Sequence, residues 1–196
     1  MRWAWSAGLA ALVMGLGLAA QAQDQHLRGA LFISPMGEPF RSTDGAVAPI
    51  DLWFKAADAD QDGKISRAEF LAEAASFYAR LDANHDGYAT SVESNAIWQA
   101  QSPEVFEPWY TPPAPVADPD DGSTRPARRA PDPTLAGPAR FGLLPDREPV
   151  MTCDANFDRR VSADEFQACA DRRFSQLDLN GDGFFSKDEV RWPGRR

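Results

Sequence analysis

At 196 residues the chain is long enough for one domain or two small ones, and it is acidic, with 29 Asp and Glu against 20 Lys and Arg. Phosphate contacts need clustered basic residues, and the pairs Arg128-Arg129 and Arg195-Arg196 are too few, so no nucleic-acid partner is expected. The two histidines, His26 and His85, stand beside no nucleophile in a recognisable motif, so no enzyme is expected either.

Residues 1–22 read as a signal peptide. Arg2 gives the positive start, Ala7–Ala20 is a short apolar run, and Ala20-Gln21-Ala22 fits a small-x-small site cleaved after Ala22. A spanning helix needs about 20 apolar residues, and no longer run follows. The mature chain is therefore expected to have no membrane span and a periplasmic or secreted location. Its formal charge would move from −9 to −10 with the loss of Arg2. Residues 23–49 show no periodicity. Leu31-Phe32-Ile33 is apolar, but Pro35, Gly37 and Pro39 break the stretch, which reads as an extended N-terminal arm whose aromatics pack on the rest. A sharper version has the arm plugging a groove between helices until something displaces it.

Residues 50–101 form a first half. Ile50, Trp53, Phe54 and Ala57 lie on one face of a short helix. Phe70, Ala74, Phe77 and Leu81 make one stripe with no Gly or Pro between them, which predicts a single helix from about Ser66 to Leu81. Thr90–Gln101 reads as a third, with Val92, Ala96 and Ile97 inward and Trp98 at its edge. Residues 102–140 hold ten of the sixteen prolines and few aliphatics, and read as a Pro-rich disordered linker in which Trp109-Tyr110 alone has material to dock. Residues 141–196 form the second half. Pro145 and Pro149 leave room for only a helical stub, Ala163–Leu177 is a long helix, and Pro193-Gly194 are expected to end a final helix after about two turns, with Trp192 folded back.

Four acidic blocks of twelve residues punctuate these helices: Asp58–Glu69, Asp82–Glu93, Asp154–Glu165 and Asp178–Glu189. Each puts oxygen-bearing side chains at positions one, three, five, nine and twelve. Position six is Gly63, Gly87 and Gly183 in three of them and Arg159 in the other. First aspartates lie 24 residues apart within each half, and an offset of 96 superimposes the halves, Phe70 on Phe166, Tyr78 on Phe174 and Leu81 on Leu177. Ca²⁺ takes six to eight hard oxygen ligands at about 2.3–2.6 Å, and a chain supplies them by wrapping alternate side chains round the ion, turning at a glycine and closing with a bidentate Glu.

Blocks one, two and four match the whole pattern and block three all but its glycine, so they resemble the EF-hand family of calmodulin-like calcium proteins. The resemblance implies an all-α fold of two loop–helix–loop halves, and Ca²⁺ as the bound ion. The implied ligands of loop one are Asp58, Asp60, Asp62, the Lys64 carbonyl and Glu69. For loop two they are Asp82, Asn84, Asp86, the Tyr88 carbonyl and Glu93. Loop three offers Asp154, Asn156, Asp158, the Arg160 carbonyl and Glu165, and loop four Asp178, Asn180, Asp182, the Phe184 carbonyl and Glu189. Position nine (Ser66, Thr90, Ser162, Ser186) ranks lower, because it often binds through water. Loop one, with the extra carboxylate of Asp60, should be tightest. Loop three should be weakest, because its turn needs a positive φ at Arg159 and because Arg159 and Arg160 bring positive charge to the ion.

The only cysteines, Cys153 and Cys169, flank loop three and read equally as a disulfide or as two buried thiols. Two functions stay open: an exported calcium sensor or buffer, and a calcium-stabilised interaction module similar to dockerins with an unidentified envelope partner.

Loop pairing follows from length. EF-hands normally pair through a small β-bridge, but a continuous helix from Ser66 to Leu81 is about 24 Å long, so loops one and two stand at its opposite ends. Loops three and four are separated in the same way. The expected pairs are therefore crosswise, loop one with loop four (Ile65 opposite Phe185) and loop two with loop three (Ala89 opposite Val161), across antiparallel rods.

Overall fold

The stretch expected to be an extended arm turns back on itself. β1 (Ala30–Ile33) pairs antiparallel with β2 (Pro39–Ser42), Phe32 opposite Phe40. Pro35, Gly37 and Pro39 break no structure here; they make the turn, closed by Ser34 N–H to the Glu38 carbonyl at 2.8 Å, with Gly37 at φ 100°. Phe32, Ile33 and Met36 are fully buried, so this hairpin is part of the core. The computed structural model describes residues 30–43, 46–107, 116–117, 124–125 and 135–191. The segment expected to be a signal peptide, Trp109-Tyr110 and Trp192–Gly194 lie outside these residues.

Among the described residues four α-helices carry the frame. α1 (Pro49–Ala57) starts with Pro at its first position and Asp51 in its first turn, and buries Trp53, Phe54 and Ala57. α2 (Arg67–Leu81) and α4 (Ala163–Leu177) are the two long rods, each entered through a capping box, Ser66 with Glu69 and Ser162 with Glu165. α3 (Ser91–Gln101) is capped likewise by Thr90 and Glu93. The rods run antiparallel. Phe70, at the start of α2, meets Phe174 near the end of α4 at 5.7 Å between ring centroids, while Phe77 meets Phe166 at 6.3 Å. Trp53 is the hub where hairpin, α1, α2 and loop four meet, its ring 5.5 Å from Phe32 and 5.9 Å from Phe185.

Short strands then join the halves crosswise. β3 (Lys64–Ser66) pairs with Phe184–Ser186, placing Ile65 opposite Phe185, and β4 (Tyr88–Ala89) pairs with Val161–Ser162, placing Ala89 opposite Val161. This is the arrangement that the length of α2 requires. The hairpin and these ladders mean that the expected all-α class describes the helical frame and not the whole fold.

Three other expectations change. On α3, Val92 is 76% exposed and Trp98 only 1%, its Nε1–H bonded to the Gly37 carbonyl at 2.8 Å. The inward face follows the hairpin it meets, through Ser94 and Trp98, and leaves Val92 and Ala96 in solvent. The segment 102–140 is structured at both ends. Pro103–Phe106 and Gly137–Arg140 are 3₁₀ turns that bury Val105 and Ala139, and Val116-Ala117 pairs with Thr124-Arg125. Arg140 donates to the Glu104 carbonyl at 2.6 Å, and Arg41 to the Gln101 carbonyl at 2.8 Å, so two guanidiniums fasten chain that its composition alone leaves loose. Loop four closes in one 3₁₀ turn, Lys187–Glu189, and the described chain beyond it is extended at Val190. The few residues before Pro193 are too short a run to repay helix nucleation. Among the described residues no helix is long and apolar enough to cross a membrane.

Candidate metal centre

Each acidic block folds into the same cage of hydrogen bonds. The first aspartate accepts twice. Its Oδ1 takes the N–H of position five, at 3.1 Å from Asp62 to Asp58, and its Oδ2 takes the N–H of position six, at 2.9 Å from Gly63. Asp82, Asp154 and Asp178 repeat both bonds. Position three accepts from the same position-five N–H, through Asp60, Asn84, Asn156 and Asn180. Position five accepts in turn from the N–H of position seven, through Asp62, Asp86, Asp158 and Asp182. Side-chain oxygens one, three and five are thereby turned to one side of the loop, with the carbonyl-bearing residues Lys64, Tyr88, Arg160 and Phe184 next in line.

The closing Glu ties the two ends of each loop together. Glu69 accepts from Ser66 N–H at 2.8 Å through Oε2 and from Ala59 N–H at 2.8 Å through Oε1. Glu93, Glu165 and Glu189 do the same from Thr90 and Ala83, Ser162 and Ala155, and Ser186 and Leu179. The Ser66 N–H and hydroxyl hold the Glu69 carboxyl below the usual carboxylate range, and Ser162 does this for Glu165. Both therefore stay ionised and available as ligands well into the acid range.

Backbone conformation separates the loops. Position six is left-handed throughout, with φ 88° at Gly63, 86° at Gly87 and 88° at Gly183, and Arg159 is forced to φ 68°. Position four is left-handed as well, at Gln61, His85, Phe157 and Gly181, a feature that the ligand spacing does not reveal. A non-glycine residue there costs about 1–2 kcal/mol. The Arg160 guanidinium lies 4.3 Å from the Tyr88 ring of the paired loop and 3.8 Å from Asp158. Replacing Arg159 with Gly removes both the strain and a charge. It is expected to tighten loop three by about tenfold, read as a shift of the weakest step in a calcium titration; an unmoved weakest step would contradict the turn argument.

The two loops of each pair are joined by more than the ladder. The Tyr78 hydroxyl lies 2.8 Å from the Gly87 carbonyl oxygen and 2.9 Å from that of Val161, touching loops two and three together. Burial and the nearby Asp82 carboxylate push it up to about 12. Beside loop three, Cys153 and Cys169 form a disulfide with a Cα separation of 5.3 Å, which closes the alternative left open by the sequence.

A cation would meet donors already gathered: in loop one, carboxylate oxygens of Asp58, Asp60 and Glu69 all lie within 4.8 Å of one another. The donors are hard oxygens, and the set fits Ca²⁺ better than Mg²⁺, which demands a tighter octahedron. Fold and site together define a protein of paired, carboxylate-lined loops. The family model of the EF hand matches residues 50–72 and 170–191, the two segments that pair through loops one and four, and supports an EF-hand family and calcium binding for this chain. Loops two and three lie outside the matched segments. No curated protein and no solved structure matches the chain significantly.

Proposed function

We propose that this chain is an exported calcium-binding protein whose four loops bind Ca²⁺ in two crosswise pairs, and that it acts as a buffer with a closed core. The observation that carries the buffer reading is the hairpin. A calmodulin-type sensor opens its helix pairs to expose an apolar groove, and here Phe32, Ile33 and Met36 fill the space against Trp53 and the rods. Calcium binding then ties loop ends and steadies the rods without uncovering new apolar surface. Export is supported by the signal-like start and by the disulfide, which persists in oxidising compartments. We assign no catalytic role.

The interaction-module reading keeps one specific support. Loop three is entered by a single 3₁₀ turn, Met151–Cys153, loop four ends in another, Lys187–Glu189, and the two loops expose Phe157 and Leu179. Dye binding and circular dichroism of the full chain, with calcium and with chelator, separate these readings. A buffer changes little in either signal. New dye binding on calcium addition would instead require release of the hairpin and a sensor, and coil-to-helix folding on calcium addition would favour the module.

A further inference from the structure

The residue just before each acidic loop is buried, and in three loops a helix delivers it. Ala57 ends α1 ahead of Asp58, Leu81 ends α2 ahead of Asp82, and Leu177 ends α4 ahead of Asp178. Loop three lacks such a helix. Pro145 and Pro149 precede it, and the described chain between Pro145 and Asp154 makes only a short helical stub, Thr152 N–H to the Glu148 carbonyl at 2.9 Å leading into the 3₁₀ turn Met151–Cys153. A stub this short is marginal by itself and supports the first ligand less than the helices of nine and fifteen residues that lead into the other loops.

In place of a helix there is a covalent bond. Cys153 is fully buried, adjoins Asp154, and is bonded to Cys169, which lies one turn beyond Glu165 on α4. The bridge spans 16 positions and encloses the whole of loop three. The first ligand and the last are thus held in one ring whose far side is a rigid helix. The 96-residue offset between the halves puts Ala57 and Glu73 at the matching places in the first half, where no bond exists and α1 does the positioning.

We propose that the Cys153–Cys169 disulfide is a positioning element for calcium in loop three, taking the place of the missing entering helix. The proposal rests on the reading of loop three as a calcium site. Closing a loop in advance removes part of the ordering cost that the ion must otherwise meet. The effect should spare loops one and four, which keep their own entering helices and share no ladder with loop three, whereas loop two meets loop three at Ala89–Val161.

The test needs a separate reporter for each loop, and position six provides one. The N–H groups of Gly63, Gly87, Arg159 and Gly183 each donate to the first aspartate of their own loop, so each amide NMR signal follows calcium in that loop. In full-length protein carrying Cys153→Ala and Cys169→Ala, the midpoint at Arg159 is expected to move to calcium concentrations about tenfold higher or more. The midpoints at Gly63 and Gly183 should stay within about twofold. A second variant, Cys153→Val with Cys169→Ala, refills the lost volume without a bond and keeps the test valid if the first folds poorly; it should show the same selective loss. An unmoved Arg159 midpoint, or equal weakening in all loops, would overturn the proposal and reduce the disulfide to general stabilisation. An Arg159 amide that ignores calcium with the disulfide intact, while Gly63 responds, would overturn the reading of loop three as a site and the proposal with it.

Discussion

Replacing Glu69 with Gln is expected to remove one calcium ion from the stoichiometry and to weaken loop one by about 100-fold or more, on the order of 3 kcal/mol. Calcium affinity in such loops is set by ligand charge and by the bidentate closure of the twelfth residue, and the substitution takes away both. It leaves the helix intact. Glu69 also closes the capping box of α2 with Ser66, and Gln serves that box as well as Glu does. The Gln amide nitrogen cannot accept from Ala59 N–H as Oε1 does, so the variant loses that tie as well, and loss of calcium with retained helicity would report on the closing residue of loop one and not on unfolding of α2. Calorimetry showing an unchanged stoichiometry would remove loop one from the set of sites.

A second large effect lies in the core. Glu73 is only 9% exposed, on the face of α2 that meets the hairpin, and its carboxyl oxygens have no hydrogen bond of good geometry. It faces the Glu38 carboxyl of the hairpin turn, the Arg80 guanidinium that pairs with Glu38 at 2.5 Å, and the Trp53 indole of α1. Burial, then the Glu38 charge, push the Glu73 carboxyl up to about 8. For an acid raised above its ordinary value, the folded state holds the proton longer than the unfolded chain does. The stability linked to it is fully present below about 4.5 and is lost as pH rises towards 8. Glu73→Gln keeps the shape and removes the charge. Urea unfolding in saturating calcium should show the variant gaining on the parent protein steadily between those pH values, by about 3–5 kcal/mol at the upper end. Parallel stability curves for the two proteins would contradict it.

The cage of hydrogen bonds was legible because oxygens at positions one, three and five, a turn residue at six and a closing Glu at twelve make a one-dimensional pattern, repeated four times in the chain. Loop pairing was legible for a different reason. An uninterrupted stripe from Phe70 to Leu81 fixes a rod length, and a rod of that length forbids the local pair. The hairpin was hidden because Pro35, Gly37 and Pro39 serve equally to break a strand or to turn one. Missing the hairpin also misplaced α3, since the face carrying Trp98 turns inward only against Gly37. Glu73 sits among helical residues with nothing in its spacing to mark it as buried. The clamped ends of the Pro-rich segment depend on Arg41 and Arg140 reaching carbonyls about 60 and 36 residues away in sequence, a distance over which composition carries no information.

Crosswise calcium pairing is the centre of this account, and a double-variant cycle on the closing glutamates measures it most directly. Calcium affinities would be compared for Glu69→Gln, Glu189→Gln and Glu93→Gln, singly and in pairs. Loops one and four share the Ile65–Phe185 ladder, so the Glu69 and Glu189 changes should be non-additive, with a coupling of about 1–3 kcal/mol. Glu69 lies in the first turn of α2 and Glu93 in the first turn of α3, in loops at opposite ends of α2, and their changes should add. Coupling between Glu69 and Glu93 with none between Glu69 and Glu189 would contradict the crosswise arrangement.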